Sequence, residues 1–147
     1  MKKILIIIVC FIVCGCNKVN NKDIYDEYVS KLRESEEVSC PLIDVSFNVT
    51  EISSDYINYY VLINRNDSVM NDIRAILIHD KETSNLFPSI GIYDDKVSLS
   101  KKSDKLGVKL SGYLEVNEST NFKLYLEYLD DNSVKQECVY VYNYQHN

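Results

Sequence analysis

Two histidines, no tryptophan and five cysteines leave this chain of 147 residues with little of the usual catalytic and metal-binding vocabulary. No Gly-x-Ser-x-Gly elbow is present to seat a serine nucleophile, so a triad based on His79 has no partner in the sequence. The other histidine, His146, is the penultimate residue. No cysteine–histidine spacing matches a zinc site. The acidic pairs Asp94-Asp95 and Asp130-Asp131 lack the alternating carboxylates and internal glycine of a calcium loop, and they read as turn residues. The expectation is therefore a non-enzyme with no metal and no other cofactor. Basic side chains are in short supply as well, 16 against 22 acidic, for a formal charge of −6. That balance argues against nucleic acid, and against anionic lipid held through a basic patch. Sugars, peptides and other proteins remain open as partners. There is no internal repeat and no low-complexity segment.

Long apolar runs are missing too, except at the start. Lys2 and Lys3 precede an apolar stretch from Ile4 to Val13, which is followed by Cys14-Gly15-Cys16. The stretch is too short to span a bilayer, which needs about 20 residues. Its length and flanks are those of a secretory leader, with positive charge before it and small residues after it. Residues 1–16 resemble the signal peptide of a bacterial lipoprotein. In that family the cysteine of the lipobox takes a diacylglyceryl group and becomes the first mature residue. The resemblance implies that residues 1–15 are removed and that Cys16 carries the lipid, facing the extracytoplasmic side of a cell membrane. Val13 and Cys14 depart from the Leu and Ala or Ser most common before the lipidated cysteine, whereas Gly15 fits. Two acyl chains, at about 0.8 kcal/mol per buried methylene, hold a protein firmly on a bilayer. Removing the leader takes two basic and no acidic residues, so the formal charge falls to about −8.

With Cys10 and Cys14 in the leader and Cys16 lipidated, Cys40 and Cys138 remain. Two cysteines in an exported domain most simply form a disulfide. The bridge closes a loop of about 100 residues, worth about 4–5 kcal/mol in the chain-entropy model.

Residues 16–22 read as a polar tether. Residues 23–38 read as a helix with Ile24, Tyr28 and Leu32 on one face and Asn21 as its cap. From residue 39 to 147 the period is two. Ile43, Val45, Phe47 and Val49 alternate with polar residues, as do Ile57, Tyr59, Val61 and Ile63. Ile73 to Ile78 is continuously apolar, as in a strand covered on both faces. Short segments follow at 89–93 and 96–100, then alternating ones at 107–115, 122–128 and 137–144. Seven or eight strands without strand–helix alternation predict a mainly β fold, an immunoglobulin-like β-sandwich. Its first and last strands are expected to run parallel, with the disulfide stapling their starts.

The expected binding surface is made of tyrosines. With a two-residue turn at Asp131–Asn132, Lys123 pairs with Tyr140 and Tyr125 with Cys138, and Val139 and Val141 face the core. Tyr125, Tyr140, Tyr142 and Tyr144 then line one outer sheet face, able to stack on sugar rings or anchor a protein. Alternatively, the amino-terminal helix covers this face through Tyr25 and Tyr28. The leading functional expectation is a lipid-anchored, non-enzymatic envelope module for a protein or glycan partner. The second is an inhibitor or immunity-type lipoprotein, and a small hydrolase using His79 with Asp94 or Asp130 ranks below both.

Overall fold

In a computed structural model the described residues are 20–40, 42–65, 69–99, 107–115 and 118–146. They form one helix, α1 (Asn21–Glu34), and eight strands: β1 (Ile43–Ser53), β2 (Tyr56–Arg65), β3 (Met70–His79), β4 (Ser89–Ile90), β5 (Val97–Leu99), β6 (Val108–Glu115), β7 (Thr120–Leu129) and β8 (Lys135–Tyr144). All strand pairs are antiparallel. One sheet has the order β1-β2-β6, and the other β4-β3-β7-β8 with β5 also on β3. With β1, β2 and β6 in the places of strands A, B and E, and β3, β7 and β8 in those of C, F and G, this is an immunoglobulin-like sandwich.

Alternation dictates the first sheet. Ile57, Tyr59, Val61 and Ile63 of β2 and Val108, Leu110 and Leu114 of β6 are buried against the opposite sheet, with Ile43 of β1 among them. Strands β3 and β7 lack such alternation because both of their faces are covered. Ala75, Leu77, Leu124 and Leu126 face the other sheet, while Ile76, Ile78 and Tyr125 face α1.

The helix starts two residues earlier than expected and ends at Glu34. The Asn20 side chain, rather than that of Asn21, accepts from the Lys22 amide at the first turn. Lys123 donates to the carbonyls of Arg33 and Ser35 at 2.8 Å, satisfying acceptors where the helix stops. Residues 35–38, expected to be helical, are extended instead, and Val38 exchanges backbone hydrogen bonds with Val139 of β8.

The Cys40–Cys138 disulfide is present, with Cα atoms 5.5 Å apart. It does not staple the starts of two parallel strands. β1 is hydrogen-bonded to β2 and not to β8, and the lead-in at Val38 runs antiparallel to β8. Cys138 lies in the fourth position of β8, fully buried in the inter-sheet core.

The β7–β8 turn corrects the expected tyrosine face. Leu129 pairs with Lys135, and Asp130 and Val134 close a three-residue loop. Ser133 takes φ +59°, the left-handed residue of a three-residue hairpin. Asp130 shapes the loop by accepting from the amides of Asn132 and Val134, both at 2.9 Å. The extra residue shifts the register by one, and a one-residue shift exchanges the faces of a strand. Tyr125 therefore pairs with Val139, and Lys123 with Val141. Val139 faces α1, while Cys138, Tyr140, Tyr142 and Tyr144 turn towards the opposite sheet.

Candidate functional site

The four tyrosines expected to form a binding surface are structural. The Tyr142 ring stacks on Phe47 of β1 with centroids 5.2 Å apart. Tyr140 accepts from the Cys40 amide at 3.3 Å, and Tyr144 donates to Glu51. All three join β8 to the first sheet or its lead-in. Tyr125 is buried beneath α1, 4.9 Å from the Tyr28 ring, as in the alternative that the helix covers this face. Cys16 lies outside the described residues. Asp94 and Asp95 are exposed, and Asp131 accepts from the Val69 amide at 2.9 Å. Among the described residues no group of three or more His, Cys, Asp or Glu could hold a metal ion.

Under α1 lies a polar cluster that sequence reasoning missed. Tyr28 and Tyr125 donate to Glu127 at 3.2 and 3.1 Å, and Lys135 pairs with the same carboxylate at 2.9 Å. Arg74 donates to the Gly91 carbonyl and the Tyr28 hydroxyl, both at 3.0 Å, and approaches Glu127 at 3.5 Å. Burial alone raises the Glu127 carboxyl. Lys135, Tyr125 and Arg74 outweigh it and hold the group below the ordinary carboxylate value. Each charge has its partners, so the cluster ties helix to sheet and leaves no group free for a substrate.

The open site is at the far end of β3. His79 ends the strand on its inward face, edge-on to Phe87 at 5.0 Å and to Tyr59 at 5.9 Å. It is 4% exposed, and its Nδ1 has no hydrogen-bond partner. Burial pushes the imidazole below its ordinary value, against a backbone hydrogen bond at Lys81 and the charge of Asp80. The ring borders a cavity of about 330 Å³ between the 83–88 loop and β6. At its floor Tyr59 lies over Gly112, its cross-strand partner, where a Cβ would come within 2.5 Å of the Tyr59 hydroxyl. Only glycine lets that ring fold over the strand. Burial pushes the Tyr59 hydroxyl up to about 12.

The loop wall is held from two sides. The Phe87 amide donates to the Tyr25 hydroxyl at 2.6 Å, and the Pro88 carbonyl accepts from the Leu77 amide at 2.9 Å. Thr83, Asn85 and Tyr113 also line an adjoining groove of about 580 Å³, which Asp55, Glu82 and Glu115 make acidic. The lone histidine at a strand end was visible in the sequence. The cavity was not, because its wall comes from a loop that carries no periodic signal.

No family model matches the chain, and no curated protein does. Among solved structures it is similar to the GAE domain of GGA2p from Saccharomyces cerevisiae, with a TM-score of 0.50 and 16% identity over 75% of this chain and 96% of that one. A DUF4426 family protein from Pseudomonas aeruginosa matches with a TM-score of 0.32 and 8% identity, over 77% of this chain and 99% of that one. At that identity the likeness to the GAE domain is one of fold, and the fold to which it points is a β-sandwich.

Proposed function

We propose that the protein is an envelope lipoprotein, anchored through Cys16 on the extracytoplasmic side of a membrane, whose sandwich is a non-enzymatic binding module for a protein or glycan. The observation that carries this reading is the leader: Lys2, Lys3, the apolar run and Gly15-Cys16, four residues before the Asn20 helix cap. A disulfide-bonded domain immediately after it suits an exported protein. Binding rather than catalysis is favoured because the sequence holds no nucleophile-elbow motif to pair with His79 and no zinc-type spacing of histidine and cysteine. Replacing Cys16 by Ala is expected to move the protein from the membrane pellet to the soluble fraction. Continued sedimentation of the variant with membranes would reject the anchor.

The groove of Asp55, Glu82 and Glu115 favours a second reading, an inhibitor or immunity-type lipoprotein that captures a cationic enzyme. A partner of that kind is expected to associate more slowly as salt rises. A retained partner whose association is indifferent to salt would remove this reading.

A further inference from the structure

Strand β6 ends the first sheet, and among the described residues it pairs with β2 alone. Alternate residues of such a strand point their N–H and C=O groups away from the sheet, where another chain can pair with them. Residues 111–115 make no other backbone hydrogen bond among the described residues. Folded proteins usually blunt an edge of this kind with proline, lysine or a bulge. None of these stands in this half of β6. Its register with β2 is unbroken, and the one lysine of the strand, Lys109, turns onto the Tyr60 ring, 4.1 Å from the centroid.

The free edge faces a groove. The cavity of about 330 Å³ meets Ser111, Gly112 and Tyr113, and the adjoining one of about 580 Å³ meets Tyr113, Leu114 and Glu115. These residues are consecutive, inward- and outward-pointing alike, so the wall is the edge of the strand rather than one of its faces. The 82–88 loop stands opposite.

We propose that an extended, cationic segment of a partner protein enters this groove and adds to β6 as a further strand. The proposal rests on the binding-module reading and names the chemistry of the partner. Backbone pairing along residues 111–115 supplies the affinity, and alternate side chains of the segment read the walls. Its apolar side chains meet Leu86 and Tyr113, which are 68% and 66% exposed, and the half-exposed Tyr56. Its lysine or arginine side chains meet Asp55, Glu82 and Glu115. No basic side chain lines either cavity, and none of the three carboxylates has a basic partner among the described residues. A second copy of this chain is a poorer occupant, because its formal charge of −6 opposes the approach.

The test titrates the full chain, ¹⁵N-labelled in a neutral detergent, with acetyl-Lys-Val-Lys-Val-Lys-Val-amide. The peptide is taken to about 1 mM, where a site of about 0.1 mM is nine-tenths filled. The expected result is a saturable shift of the amides of residues 111–115, with alternate ones exchanging their protons about tenfold more slowly. No shift in that stretch overturns the proposal. Two further peptides carry N-methyl groups on every lysine amide or on every valine amide. Each blocks one edge of the extended segment and keeps its charge, so one is expected to bind and the other to fail. Equal behaviour of the two, whether both bind or both fail, overturns strand addition. Combining Glu82→Lys with Glu115→Lys changes two exposed positions and spares the core. Affinity for the lysine peptide is expected to fall about tenfold, and acetyl-Glu-Val-Glu-Val-Glu-Val-amide is expected to bind instead. Unchanged affinity in that variant overturns the proposal. So do shifts at residues 111–115 that grow with protein concentration before peptide is added, which would make a second copy the occupant. If a pull-down from an envelope extract retains a protein while the lysine peptide leaves residues 111–115 unmoved, the β6 assignment falls and the binding module stands. Membrane release by Cys16→Ala reports on the anchor alone.

Discussion

At the scale of single residues, His79 trades stability for an open valence. Its imidazole is held below the ordinary value of 6.5 by burial, opposed by the Lys81 backbone and Asp80, while the Arg33 and Lys81 charges add to the lowering. The unfolded chain therefore takes up a proton first as pH falls. The stability contributed by the neutral ring is complete above about pH 6.5 and is lost as pH drops below it. Replacing His79 by Leu removes the orphaned nitrogen, and urea unfolding at pH 7 is expected to show a gain of about 1 kcal/mol. The same variant should lose less stability between pH 7 and pH 5 than the parent. A lower urea midpoint at pH 7 would show that the aromatic contacts outweigh the unpaired atom. Glu127 and Glu137 have carboxyls held below 4.5, so their contribution disappears in a separate, more acidic window. The position of His79 at a strand end was legible in the sequence. Its environment was not, since Tyr59, Phe87 and Phe122 reach it from three different parts of the chain.

At the scale of elements, the β7–β8 turn decides what the tyrosines do. Ser133 occupies the left-handed region, where a β-branched side chain crowds its own backbone. Ser133→Val is therefore expected to cost about 1–2 kcal/mol in chemical denaturation, while Ser133→Gly retains the fold and the register. Equal stability of the Val variant would mean that the turn tolerates another geometry. The strands themselves were readable because alternation is local, and β1, β2 and β6 each show it with one wet face. The inward face of β8 was not readable, because both of its faces meet other parts of the chain. Val139 packs on α1 and Cys138 on the opposite sheet, so apolar residues occur at both parities. The helix boundary slipped for a similar reason: polar residues at 35–37 fit either another turn or an extended lead-in, and the Val38 bridge to β8 selects the latter.

At the scale of the whole molecule, the Cys40–Cys138 bridge closes a separation of 98 residues and joins the lead-in of the first sheet to β8, an edge strand of the second. Replacing both cysteines by Ser is expected to cost about 4 kcal/mol by the loss of this constraint on the unfolded chain. Urea unfolding of the double variant checks the figure, and an unchanged midpoint would reject a stabilising role. Helix α1 belongs to the same frame. Leu32 is fully buried with Ile76, Ile78 and Val139, while Tyr25 holds the wall of the His79 cavity through the Phe87 amide. A helix adjoining the expected membrane tether thus also shapes the candidate site.

The sequence by itself determined the class of fold, the strand positions and the cysteine pair, because side-chain alternation and composition are properties of neighbouring residues. Only the tertiary structure decided that the tyrosines of β8 are internal and that the open site surrounds His79. One extra residue in a turn exchanges both faces of a strand, and a cavity exists only where distant segments converge.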